Sequence, residues 1–166
     1  MSKAFVGLGS NVGDRVRHLR RGVQALGRTG EIVRVSSLYE TEPVGGPPQG
    51  LYLNAVLEIE TDLTVFRLLQ ALQAIEQAEG RERAVPLGPR TLDLDLLWWN
   101  GETMRSDTLT LPHPRAHERR FVLEPWVEVW PEGTLCGRPL VSWKERAGPG
   151  GVRRREGPGW VTEAGL

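Results

Sequence analysis

Apolar and polar positions alternate in some stretches of this chain and recur with a helical period in others. The order of those stretches predicts the architecture. Residues 3–10, KAFVGLGS, read as a short buried strand running into a glycine-rich turn. Asp14 stands where an N-cap belongs, and Val16, Leu19, Val23 and Leu26 form one helical stripe that stops at Gly27. Residues 31–43, EIVRVSSLYETEP, are β-branched and predict extended chain, and 43–50, PVGGPPQG, predict a loop. Next, Leu51, Leu53, Ala55, Leu57 and Ile59 alternate with Tyr52, Asn54, Val56, Glu58 and Glu60, which predicts a half-buried strand with a polar face. Thr61 or Asp62 is placed to cap a second helix, with Val65, Leu68, Leu69, Leu72 and Ile75 as its core stripe and Gly80 as its stop. After an irregular basic stretch, 80–90, a last strand follows. The order is β-α-β-β-α-β, an α+β, ferredoxin-like arrangement with an antiparallel sheet and helices on its faces. Residues 111–133 predict a loop and one or two further helices, and the tail beyond Gly133 predicts short strands around glycine–proline turns. No internal repeat is visible, and the whole of 1–166 reads as one domain.

The last core strand, GPRTLDLDLLWW at 88–99, carries two aspartates inside an apolar run. A strand has a side-chain period of two, so Leu92, Leu94 and Leu96 share one face and Thr91, Asp93 and Asp95 the other. Residues two apart in a strand lie roughly 6–7 Å apart at Cα. Two like charges that close are costly unless water or a bound cation relieves them. A solvated sheet face answers that cost, and so does a divalent cation. The preceding segment bears on the choice, because Arg81, Arg83 and Arg90 lie beside Pro86, Gly88 and Pro89. Carboxylates beside several arginines suit a polyphosphate that takes Mg²⁺ on one side and guanidinium forks on the other. Simple pairing of the arginines with the aspartates is the alternative. Tyr52 and Asn54 share the strand face opposite the core and suit a flat heterocycle, one ring stacking and one amide reading edges, although the pair also fits an ordinary surface patch. GLGSNVGD has one residue too many for a dinucleotide fingerprint. His113 sits between two prolines with Arg115 and Arg119 nearby, where it can bond a phosphate or merely be structural; no role is predicted for His18.

Composition narrows the classes. The 166 residues carry 21 Lys plus Arg and 21 Asp plus Glu, a formal net charge of zero. That balance argues against a dedicated duplex nucleic-acid binder but leaves a local basic patch open. Lysine occurs only at Lys3 and Lys144, so nearly all the positive charge is arginine. Cys136 is the single cysteine, which rules out an intrachain disulfide and a cysteine-based zinc site. No stretch has the length of a signal peptide's apolar region or of a membrane span, so a soluble, cytoplasmic protein without a membrane partner is expected.

Together the segments GLGSNVGD, YETEPVGGPPQGLYLNAV, IEQAEGRERAVPLGPRTLDLDLL and LPHPRAHERRFVLEP resemble the hydroxymethyl-dihydropterin pyrophosphokinase family of folate biosynthesis, over residues 5–125. Residues 133–166 match only loosely, the last ten as an extension. The resemblance implies a ferredoxin-like α+β fold and transfer of diphosphate from ATP to the hydroxymethyl oxygen of a reduced pterin, leaving AMP. It implies that Asp93 and Asp95 hold two Mg²⁺ ions and that Arg81 and Arg90 stabilise the transferring group. Gln73, Glu76, Arg83, Leu96, Thr110, His113 and Arg119 would contact ATP. Tyr52 and Phe121 would sandwich the pterin, with Thr41, Pro43, Val44 and Asn54 at its edges. Residues 43–50 and 81–90 would be mobile loops that close over the substrates. The chain departs from the family pattern at Leu87, where a tryptophan is common, at Glu42, where a second proline is common, and at Pro114, where an aromatic is sometimes found. The identity of the proton acceptor and the oligomeric state stay open. The competing reading is a non-enzymatic RNA-binding module on the same β-α-β-β-α-β order, against which stand the missing RNP aromatics, the acidic sheet face and the zero net charge. A DxD-type glycosyltransferase fits less well, because the aspartates lie within a strand rather than after it.

Overall fold

Strand β1 (Ser2–Ser10) is an interior strand of an antiparallel sheet, paired with β4 (Tyr52–Thr61) on one side and β5 (Asp93–Trp99) on the other. The computed structural model describes residues 1–42, 48–80, 89–147 and 151–164. Helix α1 (Arg15–Leu26) follows β1, strands β2 (Glu31–Val35) and β3 (Leu38–Thr41) precede β4, and helix α2 (Val65–Ala78) leads into β5. This is the predicted ferredoxin-like order, except that the extended segment predicted over 31–43 forms two strands, β2 and β3. β2 and β3 pair with opposite ends of β4. Between them Ser36 gives its N–H to the Val56 carbonyl, while its hydroxyl accepts the Val56 N–H.

Local chemistry sets the helix starts. The Asp14 carboxylate accepts the Arg17 N–H and caps α1, as predicted. The cap of α2 is Thr64, whose hydroxyl accepts the Arg67 N–H, and not Thr61 or Asp62. Thr61 is instead buried at the end of β4, where its hydroxyl donates to the Thr29 carbonyl and accepts the Leu63 N–H. Gly80, at φ +82°, ends α2 in a conformation that L side chains rarely adopt.

Two cores result from the period-two split of the strands. Ala4, Val6 and Leu8 of β1, Leu53, Leu57 and Ile59 of β4, and Leu94 and Leu96 of β5 face the helical layer of α1 and α2. Phe5, Val56 and Leu97 face the other way, beneath α3 (Arg120–Val129) and α4 (Leu140–Arg146). The expected solvated face of β4 is therefore corrected: Asn54, Val56 and Glu58 are buried as well, because α3 lies against that side of the strand. A bulge opposite Phe5 and Val6 adds Leu97 to β5, so Leu97 and Trp98 both pack into the second core and Trp99 returns to the first. Phe5 sits among Trp98, Trp126 and Trp130, with the Lys3 ammonium 5.0 Å from the Trp130 ring centroid.

The segment beyond β5 holds the hairpins β6 (Met104–Arg105) with β7 (Thr110–Leu111) and β8 (Thr134–Leu135) with β9 (Arg138–Pro139). Strand β10 (Val152–Glu156) pairs with β3 and extends the sheet, giving the order β10-β3-β4-β1-β5. A 3₁₀ turn at Pro158–Ala164 then carries Trp160 into the helical core, where it is 1% exposed. Burying roughly 200 Å² of indole is worth about 5 kcal/mol as an upper figure. Among the described residues no helix is long and apolar enough to cross a membrane.

Candidate active site

The far end of β1 has no side chains on the α3 face, because Gly7 and Gly9 occupy it. In register, Gly9 lies between Asn54 of β4 and Asp93 of β5, and Gly7 between Val56 and Asp95. The glycines make the floor of a trough. Gly9 can be nothing larger without displacement, since a Cβ there would stand 2.9 Å from Asn54 Oδ1 and 3.4 Å from the Tyr52 ring. At Gly7 the nearest atoms a Cβ would meet belong to Leu97, at an ordinary 3.6 Å.

Above this floor lies a cavity of about 430 Å³. One wall holds Tyr52, Asn54 and Thr41, the other Asp93 and Asp95, and Arg90, Arg115, Arg119, Glu42 and Phe121 complete it. The Asn54 amide donates to the Thr41 hydroxyl at 2.7 Å, which leaves the Asn54 carbonyl oxygen as an acceptor for a ligand edge. The Arg119 guanidinium stands over the Phe121 ring, 5.7 Å from its centroid. One cavity thus offers a neutral aromatic and amide wall beside a wall of carboxylates and guanidiniums. That combination fits a flat heterocycle at one end and a polyphosphate at the other.

Of the residues named from the sequence, Thr41, Tyr52, Asn54, Arg90, Asp93, Asp95, Arg119 and Phe121 line this cavity. Pro43, Val44, Arg81, Arg83 and Leu87 lie outside the described residues. His113, Gln73 and Thr110 are not in the cavity lining; Gln73 is exposed on α2, and Thr110 is half-buried on β7. His113 donates its backbone N–H to the Leu97 carbonyl, and its Nδ1 accepts the Arg115 N–H at 3.3 Å. Burial, then the Arg119 and Arg115 charges, hold its imidazole below the usual histidine range, against the pull of Asp93. It is neutral at pH 7.

Two of the named positions point elsewhere. The Leu96 side chain is 4% exposed in the helical core, so an ATP contact there is limited to its backbone. Glu76 is 3% exposed, and its carboxylate accepts the Leu94 N–H at 2.8 Å. It braces β5 from behind, between the two aspartates. Periodicity places Glu76 on the buried face, four residues after Leu72, but it does not reveal the partner, which is in another element.

Asn11 has no role in the sequence reading. It is buried, exchanges two hydrogen bonds with the Arg90 backbone, and donates from its amide to Gln49 Oε1 at 2.7 Å and the Gly50 carbonyl at 3.1 Å. One side chain thus ties the approach to Tyr52 to the approach to the aspartate strand. The only sequence signal for it is a polar residue directly after a buried strand.

A sequence profile of the 7,8-dihydro-6-hydroxymethylpterin-pyrophosphokinase (HPPK) family matches residues 5–131. The chain is 47% identical over 128 residues to the 2-amino-4-hydroxy-6-hydroxymethyldihydropteridine pyrophosphokinase of Bacillus subtilis, spanning 76% of this chain and 77% of that one. It is 37% identical over 158 residues to the protein of the same name from Methylorubrum extorquens, spanning 94% and 100%. In fold it is similar to Plasmodium falciparum HPPK-DHPS, solved with pterin and p-hydroxybenzoate, at a TM-score of 0.69 and 15% identity over 87% of this chain. It spans 41% of that longer chain. With the match extending over most of its length and through both walls of the cavity, the chain belongs to the 7,8-dihydro-6-hydroxymethylpterin-pyrophosphokinase family.

Proposed function

We infer that this protein transfers a diphosphate from ATP to the hydroxymethyl oxygen of 6-hydroxymethyl-7,8-dihydropterin, yielding the pterin diphosphate and AMP in folate biosynthesis. The observation that carries the reading at the level of residues is the two-walled trough, with Tyr52 and Asn54 across the glycine floor from Asp93 and Asp95. The hydroxymethyl oxygen forms a bond to the β-phosphorus as the bridging oxygen on the α-phosphate leaves with AMP. Such a transfer requires positioning and charge stabilisation above all.

Tyr52 and Phe121 hold the pterin ring between them, and Thr41 and Asn54 read its edge, with Pro43 and Val44 continuing that edge. Arg90 and Arg81 neutralise charge on the transferring group. Arg119, His113, Arg83, Gln73 and Thr110 hold the nucleotide, with Leu96 contributing through its backbone. Glu76 acts indirectly, by fixing the strand between the aspartates. The neutral His113 imidazole, with its proton on Nε2, is a donor to a phosphate oxygen.

The carboxylates fit Mg²⁺. Among the described residues no three metal-ligating side chains cluster, and two carboxylates of one strand lie beside a set of arginines. That is the donor set of an ion held by one or two carboxylates and completed by substrate phosphates. Asp93 and Asp95 would hold two such ions, and the bound metal would supply positive charge against the ATP phosphates. An RNA-binding module has no such support, because α3 covers much of the sheet face that would stack bases.

The test is to incubate the protein with ATP, Mg²⁺ and hydroxymethyl-dihydropterin and to resolve the nucleotides by chromatography. AMP that appears only with both pterin and metal is the expected result. ADP, or AMP formed without pterin, would overturn the reading.

A further inference from the structure

The family match stops at residue 131, yet the chain beyond it pairs with β3, whose Thr41 lines the cavity. In a ferredoxin-like sheet of this order β3 would be an edge strand. Here β10 pairs with it, placing Val152 opposite Thr41 and Arg153 opposite Glu40. Because side chains alternate, Thr41 faces the cavity while Glu40 points to the opposite side of the sheet. There the buried Glu40 carboxylate gathers three guanidiniums: Arg153 at 3.0 Å, Arg155 at 2.8 Å, and Arg15, from the first turn of α1, at 3.3 Å. Arg15 also donates to the Leu51 carbonyl at 2.9 Å, the residue before Tyr52. The far end of the tail is fixed by Trp160, whose indole N–H donates to the Ser36 carbonyl and whose own carbonyl accepts from Arg20.

We propose that this C-terminal clasp, Arg153 and Arg155 on Glu40, is a positioning device for the pterin side of the cavity. Arg153 and Arg155 fix the Glu40 carboxylate from behind the sheet, and Arg15, bonded both to that carboxylate and to the Leu51 carbonyl, carries the tie from the end of β3, with Thr41, to the start of β4, with Tyr52. It does not reach β5 or the 113–119 segment, which lie beyond β1. Burial alone would raise the Glu40 pKa, but the guanidiniums of Arg15, Arg155 and Arg153 outweigh it and hold the carboxyl below its ordinary value, so the knot is charged at neutral pH. The proposal rests on the reading that the Thr41–Tyr52 wall takes the pterin.

The test uses Arg153→Ala/Arg155→Ala and the matching double lysine variant. Both arginine side chains are well exposed, 79% and 50%, and Trp160 stays in place, so the fold is retained. The alanine pair is expected to raise the pterin KM on the order of tenfold, with kcat and the ATP KM within about twofold of wild type, and the lysine pair to restore part of the loss. Amide exchange at Thr41 and at 50–52 should quicken in the alanine pair, and that readout holds whatever the substrate. Unchanged exchange in these segments would overturn the clasp, as would equal increases in both KM values. Failure of the wild type to use pterin would instead overturn the functional reading, leaving exchange to decide the clasp.

Discussion

The two walls of the cavity rise from one glycine floor and are held by different means. Tyr52 and Asn54 belong to β4, an interior strand with β1 on one side and β3 on the other, and Asn54 is buried and neutral. Asp93 and Asp95 belong to β5, at the end of the sheet, and are half-exposed. A buried neutral amide needs only hydrogen bonds, and Thr41 supplies one within the sheet. Paired carboxylates need water or a cation, and the end of the sheet admits both. The charged wall therefore stands on a strand with few strand neighbours and needs bracing from outside the sheet. Glu76 from α2 and the His113 N–H provide it. The neutral wall gets its bracing from the sheet itself and from the C-terminal strand.

The largest effect should come from the charged wall. Asp95→Ala is expected to lower kcat by on the order of 10²–10³-fold while pterin still binds in a direct titration. Equal loss of pterin binding would mean that the walls do not act separately. Tyr52→Ala attacks the other wall, and loss of one stacked ring should cost about 1–3 kcal/mol in pterin affinity, with ATP-analogue binding unchanged. The floor can be tested with a pair of variants. Gly9→Ala, which meets Asn54, should lower unfolding stability by about 1–3 kcal/mol, and Gly7→Ala should leave stability nearly unaltered in a denaturant titration. Similar losses at both would show that the close approach of β4 is not what constrains the floor.

A smaller effect follows from His113. Its folded pKa is depressed below the ordinary 6.5, so the unfolded chain takes up the proton more readily. Its contribution to stability is full above about pH 6.5 and is lost as the pH falls through that value towards the folded pKa. Relative to His113→Gln, the wild type should lose stability as the pH is lowered from 8 to 5. A flat difference across that range would show that the imidazole is not held neutral by its surroundings.

What the sequence determined by itself was whatever depends on neighbours along the chain. Asp93 and Asp95 share a face, with Leu94 and Leu96 on the other, because the strand period is two. Asp14 caps α1 because a carboxylate three residues before an N–H can reach it. The strand–helix order and the segments of the family resemblance were legible for the same reason. Tertiary structure decided what depends on contact between distant segments. It moved the cap of α2 to Thr64 by using Thr61 to hold Thr29, and it buried the second face of β4 by laying α3 on it. It turned Glu76 onto β5, Asn11 onto two loops, and the tail onto Glu40. No periodicity records these bonds, because each joins a polar group to a partner between 18 and 115 residues away, and only folding brings the two within hydrogen-bond reach.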